Sequence, residues 1–322
     1  MESPQTIYSQ SATHFTLPLY VRGDTEVEGR LVADLAETFL STLLFPGTRL
    51  TALWTKRAGE GAKLNMGDFT SSRWKAAQKK ILNNEYAVVN IEAHTPDFPN
   101  QKIWFDAHVN PIGGAEFLTA GTWKIRCSVS YLRHLAASPT KVEALLQLVK
   151  QAWNGTPGGP AYGYGNLAIT LAQPVFDPRN PRPPGAPLPW EYIKPPVERV
   201  HAVPIAYVGN DIEGNLEQLY VRDRGIKGAF WANFLSAAHV AMAGGEAALK
   251  KKLNGMRVEP LQHGGLLVVA TESPLPEDTD ATRERFWRLD EALQPAFLAR
   301  EHTTELMRGM LGYFYRERPP VR

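Results

Sequence analysis

The chain has 322 residues, of which 43% are hydrophobic and 21% are charged, so disorder of the whole chain is not expected. Its 35 basic and 33 acidic residues leave a formal charge of +2, and the basic excess that is typical of nucleic-acid-binding proteins is missing. We therefore expect no direct nucleic-acid binding. The single cysteine, Cys127, excludes an intramolecular disulfide and a cysteine-rich zinc site, which fits a reducing compartment.

Secretory and membrane proteins carry recognisable apolar segments. Residues 1–11 contain neither a basic stretch nor an apolar stretch, so they do not resemble a secretory signal. No window approaches the roughly 20 apolar residues that are needed to cross a bilayer. These features predict a cytoplasmic protein that does not contact a membrane.

The first half of the chain mixes helical and strand patterns. Apolar residues of 24–45 recur at three- and four-residue steps, which predicts a helix that ends at Pro46. A helix is also predicted over Met66–Leu82, and another begins at Ser138, which is followed by proline. β-branched and aromatic residues predict strands at Phe15–Val21, Thr48–Thr55, Ala87–Ala93, Lys102–Val109, Thr122–Tyr131 and Leu167–Leu171.

The second half follows a proline-rich segment. Residues 173–199 hold so many prolines that long helix is forbidden and extended backbone is favoured, as in a linker or a surface strap. A predicted strand at Val200–Val208 comes next. Helices are then predicted at Phe230–Ala243, Glu246–Leu253, Phe286–Phe297 and Leu306–Phe314, and strands at Met256–Pro260 and Leu266–Thr271.

Strands that follow one another with turn-length gaps indicate antiparallel pairing. The sequence therefore predicts an α+β fold with mostly antiparallel sheets and packed helices. We expect two α+β halves, residues 1–172 and 200–322, joined by the proline-rich segment 173–199.

No complete catalytic motif is present. The chain has no P-loop, no zinc-protease HExxH, no GxSxG and no EF-hand loop. Gly163–Ala168 matches the spacing of a dinucleotide-binding loop, but a strand-like run follows it instead of a helix. His94 and His108 could meet across adjacent strands beside Asp106, although nothing supplies a third metal ligand. We expect no catalytic residue, metal or cofactor; a small-molecule enzyme with a pocket at these three residues is the alternative.

Four segments of the second half occur in an order that resembles a known family. They read GIKGAFWANFL, AGGEAAL, HGGLLVVA and PLPED. This order is similar to that of type VI secretion immunity proteins, and it is clearest from about Ala202 to Phe297. The positions that carry the resemblance, mostly with structural roles, are Gly225, Gly228, Trp231, Gly244, Gly245, Gly264 and Gly265.

The resemblance implies a cognate antitoxin that binds a secreted effector toxin one to one, with a nuclease as the expected toxin. Because nuclease clefts are basic, acidic side chains would speed association. A solvated loop is the simpler interpretation of the same residues, and a structural or adaptor component of the secretion machinery is a further alternative to immunity. The candidate toxin-binding groups are Glu272, Glu277, Asp278 and Asp280, and separately Asp211, Glu213 and Glu217.

Overall fold

The computed structural model of the chain describes residues 12–22, 27–57, 63–95, 98–108, 119–160, 162–171, 206–209, 225–226, 229–277 and 279–297.

Within these ranges, eleven strands form one sheet. The strands lie in the order β10-β11-β9-β7-β1-β6-β5-β4-β2-β3, and β8 also pairs with β7. All pairs are antiparallel except β7–β8, which confirms the predicted α+β class with mostly antiparallel pairing. The strands are β1 (Ala12–Arg22), β2 (Arg49–Arg57), β3 (Leu64–Asp68), β4 (Tyr86–Thr95), β5 (Phe98–His108), β6 (Thr119–Ser128), β7 (Tyr162–Leu171), β8 (Ala206–Gly209), β9 (Ala232–Leu235), β10 (Arg257–Pro260) and β11 (Leu266–Val269).

Seven α-helices accompany the sheet in the described part of the chain. Thr70 begins the second and Thr279 the seventh, each by accepting a hydrogen bond from a backbone N–H of the first turn. Short 3₁₀ turns occur at Gln262–Gly264 and Gln294–Ala296. The helices are α1 (Gly29–Thr42), α2 (Ser71–Leu82), α3 (Val129–Ala136), α4 (Pro139–Gly155), α5 (Ala237–Met242), α6 (Glu246–Lys252) and α7 (Asp280–Leu293).

Alternation along the strands sets which side of the sheet faces the helices. Phe15 pairs with Cys127 and Leu17 with Ile125, so these side chains share one side, and all four are buried. Helix α1 covers this side, with the Phe39 ring 5.6 Å from the ring of Phe105. The apolar stripe of α1 thus packs on the apolar side of the central strands.

Helix α4 connects the central strands to the strands near the β10 end. Its Trp153 ring stacks 6.2 Å from the ring of Phe234 in β9, and its indole N–H donates to Gln262 O at 3.2 Å. Lys150 of the same helix forms an ion pair with Glu259 of β10 at 2.8 Å. Both apolar and charged contacts of α4 therefore fix strands β9–β11 against the rest of the sheet.

The predicted helix Met66–Leu82 is wrong in its first part. Met66 lies in β3, which pairs with β2, and the helix begins at Ser71 after the Thr70 cap. The hairpin between β2 and β3 supplies backbone partners that a single-residue propensity cannot reveal. The predicted strand Thr122–Tyr131 also ends early, because the Ser128 hydroxyl accepts from Tyr131 N and starts α3.

The predicted helix Phe230–Ala243 is wrong over its first seven residues. Ala232–Leu235 forms β9, hydrogen-bonded to β7 on one edge and β11 on the other, and α5 begins only at Ala237. All four residues of β9 are buried. A short apolar run that is buried on both faces has no periodicity that distinguishes a strand from a helix. The sequence pattern therefore gave the wrong element here.

The proline-rich segment 173–199 and the predicted helix Leu306–Phe314 lie outside the described residues. The division into two halves therefore stays a prediction. Strand β7, from the first predicted half, pairs with β8 and β9 from the second, so one sheet runs through both.

Cys127 gives a test of the packing on the helix-covered side of the sheet. Its side chain is completely buried, and burial raises the pKa of its thiol. We expect native protein at neutral pH to resist a thiol-specific reagent, while unfolded protein reacts at one thiol per chain. Absorbance after mixing with the reagent, with and without denaturant, measures this. Rapid stoichiometric labelling of native protein would contradict the placement.

Candidate functional site

Residues 271–277 and 279–280, which lie between β11 and the first residue of α7, are called the acidic loop. Glu272 and Glu277 are exposed, whereas Pro274 and Pro276 between them are buried. Asp280, also exposed, is the first residue of α7 and lies 3.5 Å from Arg283. The structure thus places three of the predicted acidic residues on one short connection, with the prolines turned inward and the carboxylates in solvent.

Trp231 anchors the start of the acidic loop. Its indole N–H donates to Thr271 O at 2.9 Å, and its carbonyl accepts from Ala270 N at 2.8 Å. The ring is completely buried and meets the ring of Phe15 edge-on at 5.9 Å. Trp231 precedes β9 rather than lying in a helix as predicted. It therefore ties the loop to the central strand β1.

Hydrogen bonds within the acidic loop hold its shape. The Thr271 hydroxyl donates to Ser273 O at 2.8 Å, and Leu275 N donates to the Ser273 hydroxyl at 3.1 Å. At the other end, the Thr279 hydroxyl accepts from Thr282 N at 3.2 Å. These contacts reduce the number of conformations open to the loop, so its exposed carboxylates are presented by a defined backbone.

A cleft of about 400 Å³ lies beside the acidic loop. It is bounded by the start of α4, the β10–β11 hairpin and α7, and Glu272 of the loop lies on its border. Charges of both signs line it together with apolar side chains. The lining residues are Pro139, Val142, Glu143, Leu146, Gly255, Arg257, Val269, Ala270, Thr271, Glu272 and Arg285.

An ion pair crosses this cleft from α4 to β10. The Arg257 guanidinium donates to both carboxylate oxygens of Glu143, at 2.5 and 3.1 Å, and to Glu259 at 2.5 Å. The hydrogen bonds from Arg257, opposed by partial burial and aided by Gln147, lower the pKa of Glu143 to about 2. The two residues of this pair are 114 positions apart in the sequence, so no local sequence pattern could have predicted their contact.

The backbone geometry explains why glycine occupies two of the predicted positions, Gly245 and Gly265. Gly245 has φ +91°, and its N–H donates to Val240 O at 2.8 Å, which ends α5. A Cβ at Gly265 would lie 2.7 Å from the Trp153 ring and 2.9 Å from Leu235 O, so only glycine fits there without displacement. Gly225 is buried, and Gly225, Gly244 and Gly264 also have positive φ.

Five of the predicted site residues fall outside the described part of the chain. The whole second acidic group is among them, so that group stays a prediction. The residues are Gly228, Asp278, Asp211, Glu213 and Glu217.

The register of the sheet separates the residues of the alternative enzymatic pocket. His94 pairs with Lys102, whereas His108 pairs with Val88, six residues along the strands; at ~3.4 Å per residue the two positions are roughly 20 Å apart. The prediction that these histidines meet is therefore wrong. Asp106 is buried and bonded to Arg126 at 2.8 Å and to Asn90.

The described residues offer no support for a dinucleotide loop, a metal centre or a membrane-spanning helix. Gly163 and Gly165 lie inside β7, so the dinucleotide-like spacing does not connect a strand to a helix. The described residues contain no group of three or more histidine, cysteine, aspartate or glutamate side chains that could hold a metal ion. They also contain no helix that is long and apolar enough to span a membrane.

Comparison with known protein families indicates the same class of protein as the sequence motifs do. The chain resembles immunity proteins of the type VI secretion system: residues 188–313 match the family TsiV, described as type VI immunity for VRR-NUC. This match confirms the resemblance predicted from the sequence. The matched range includes the acidic loop, β9–β11 and α5–α7.

A solved structure shares the fold. T6SS protein PA0821 of Pseudomonas aeruginosa superimposes with a TM-score of 0.60 and 17% identity, over 94% of this chain and 83% of that chain. At this identity the likeness establishes the fold alone. A search of curated proteins found no match.

Truncation of Trp231 tests its role as the loop anchor. We expect Trp231→Ala to lower the free energy of unfolding by ~3–5 kcal/mol, because it removes a buried ring and leaves a cavity. Trp231→Phe keeps most of the ring but loses the bond to Thr271 O, which costs about 1 kcal/mol. Chemical denaturation measures both. As a control, Trp54→Ala removes a half-buried ring of β2 and should cost less; an unchanged midpoint for Trp231→Ala would refute the anchor.

The Glu143–Arg257 pair predicts an acid dependence of stability. The carboxylate has a pKa of about 2 in the folded protein against an ordinary value of 4.5. Its contribution is therefore complete above pH 4.5 and is lost as the pH falls through about 2. Thermal unfolding of wild type and Glu143→Gln should differ most at neutral pH and converge in acid. Glu291→Gln, at an exposed site on α7, is the control; a gap that stays constant in acid would contradict the prediction.

Proposed function

We propose that the chain is an immunity protein that binds and neutralises a nuclease effector of the type VI secretion system in a one-to-one complex. The observation that carries this proposal is the match of residues 188–313 to a family described as type VI immunity for VRR-NUC. The protein acts by binding and not by catalysis. The separation of His94 from His108 supports this, because the residues of the one enzymatic pocket that the sequence suggested do not come together.

The acidic loop is the contact that we assign to the toxin. A nuclease holds the phosphate backbone of its substrate with basic side chains. Glu272, Glu277 and Asp280 present exposed carboxylates of the opposite sign. Their field would steer the toxin onto this face and raise the association rate at low ionic strength.

The loop and the neighbouring cleft suit a preformed interface. Because Trp231 and the bonds around Ser273 already hold the loop, little conformational entropy is lost on binding. The cleft, with Glu272 at its border and apolar walls from Val142 and Leu146, would receive a long side chain of the toxin. Interfaces concentrate their binding energy at side chains that fill a desolvated pocket inside a polar rim.

The compartment follows from the proposed target. A nuclease toxin damages nucleic acid inside the cell, so its antidote must meet it in the cytoplasm. Binding must also outlast the exposure to toxin, which makes slow dissociation the relevant property.

Co-expression tests the function directly. A VRR-NUC effector of the type VI secretion system from the same organism is expressed from an inducible promoter with and without this chain, and survival is counted. A catalytically inactive form of the effector is then mixed with the chain and run on a sizing column. We expect rescue and co-elution at a one-to-one ratio. Death of cells that contain abundant folded protein, with no complex on the column, would refute the immunity role.

Charge reversal tests the acidic loop. We expect the triple change Glu272→Lys, Glu277→Lys and Asp280→Lys to slow association at low salt by about tenfold or more, with little change in melting temperature. The difference should shrink as salt rises, since ions screen exposed charges. Stopped-flow or surface-based kinetics measure both. The matched control reverses exposed acids elsewhere, Asp34, Glu85 and Glu291; equal slowing by both triples would remove the loop from the interface.

A further inference from the structure

The charged side chains that line the cleft beside the acidic loop fall into two groups. In the first group, the Arg257 guanidinium bonds to both carboxylate oxygens of Glu143. Glu259 and Lys150 extend this group, because Glu259 accepts from Arg257 at 2.5 Å and from Lys150 at 2.8 Å. Two acids and two bases thus neutralise one another, so the first group has no net charge to offer a partner.

Arg285 of α7 is the cation of the second group. Its side chain is partly exposed and lines the cleft, and it forms no hydrogen bond or ion pair in the part of the chain that the structure describes. The other arginines of the helix are engaged: Arg283 lies 3.5 Å from Asp280, and Arg288 donates to Asn254 O at 3.0 Å. Arg285 therefore brings an uncompensated positive charge to the cleft.

This positive charge does not suit a partner surface that is purely basic. Glu272 lines the same cleft, and no ion pair joins it to Arg285 among the described residues; the acidic loop continues to exposed Glu277 and Asp280. A basic toxin surface that the loop attracts would be repelled by a free guanidinium. The repulsion becomes attraction if the toxin places a carboxylate against Arg285. Charge complementarity across this cleft therefore calls for both signs on the partner.

A nuclease can supply both signs at one place. Nucleases that use metal ions hold them with carboxylates, beside the basic side chains that bind the phosphates of the substrate. A guanidinium can bind a carboxylate through two parallel hydrogen bonds, which an ammonium group cannot do. Val142, Leu146 and Val269 line the same cleft, and an apolar surrounding that excludes water strengthens such a pair.

We propose that Arg285 is the specificity-determining residue of the cleft and that it takes a carboxylate side chain, aspartate or glutamate, of the toxin. This inference rests on the proposed function and adds a second kind of contact to it. The acidic loop attracts a basic surface, and Arg285 selects toxins that carry an acid at the matching place. A toxin without that acid would leave the guanidinium unpaired in the interface, which is one way in which proteins reject wrong partners.

Binding of the inactive effector to variants of the full chain tests this assignment. Arg285→Gln should raise the dissociation constant about tenfold or more, chiefly through faster dissociation. Arg285→Lys should lie between this variant and wild type, because the forked contact is lost. Arg30→Gln, which changes an exposed arginine of α1, is the matched control and should bind as wild type does.

The sign of the Arg285→Gln effect separates recognition from steering. If Arg285 contributed only to the long-range field, loss of its charge would tighten binding to a basic partner. Unchanged or tighter binding by Arg285→Gln therefore overturns the inference and leaves the immunity role intact. A wild-type chain that forms no complex overturns both.

Thermal unfolding checks that Arg285 has no internal role. Because its guanidinium makes no bond to the described residues, Arg285→Gln should melt within about 2 °C of wild type. A fall of several degrees would reveal an internal partner and would overturn the inference.

A charge swap identifies the carboxylate. Arg285→Glu should weaken binding about a hundredfold, because like charges then meet. Each acidic residue of the inactive effector is then changed singly to arginine and measured against Arg285→Glu. One of these changes should restore binding by about tenfold or more, and the same change should weaken binding to the wild-type chain. Failure of every change to rescue Arg285→Glu overturns the inference.

Discussion

The structure depends on strand β7, which is hydrogen-bonded to β1 on one edge and to β9 on the other. This pairing requires glycine: a Cβ at Gly163 would lie 2.2 Å from Leu19 and 2.9 Å from Pro18 O. Tyr162 and Tyr164, on either side of Gly163, are buried and supply the packing, with the Tyr164 ring 4.7 Å from that of Phe230. Close backbone approach and large rings on alternate residues thus join strands β9–β11 to the central sheet.

Apolar contacts carry most of this junction, and the charged contacts orient it. Buried rings such as Trp153 and Trp231 each remove a large apolar area from water, whereas ion pairs at partly exposed side chains such as Glu143–Arg257 contribute less to stability because solvent screens them. Their directional bonds still select one placement of α4 against β10. The same placement forms the cleft, so the site and the junction share a physical cause.

The proposed binding face combines both parts of the chain. The acidic loop lies within the family match at residues 188–313, but α4, with Pro139 and Glu143, closes the cleft from outside that range. An isolated second half would lose this wall and the Phe15 contact of Trp231. The immunity role proposed above therefore draws on the whole sheet, even though the recognisable sequence signal is confined to its later strands.

The sequence by itself determined the α+β class, the amphipathic helix over residues 29–42, most central strands and the resemblance to type VI immunity proteins. These features depend on the spacing of apolar residues, on helix caps and on the order of short glycine-containing motifs. All three are encoded by residues that are close in the sequence. Tertiary structure alone decided that Ala232–Leu235 is a strand, that His94 and His108 lie apart, and that Glu143 meets Arg257. The strand carries no periodic signal because it is buried on both faces. The other two cases depend on strand register and on a contact between distant segments, which no local pattern encodes.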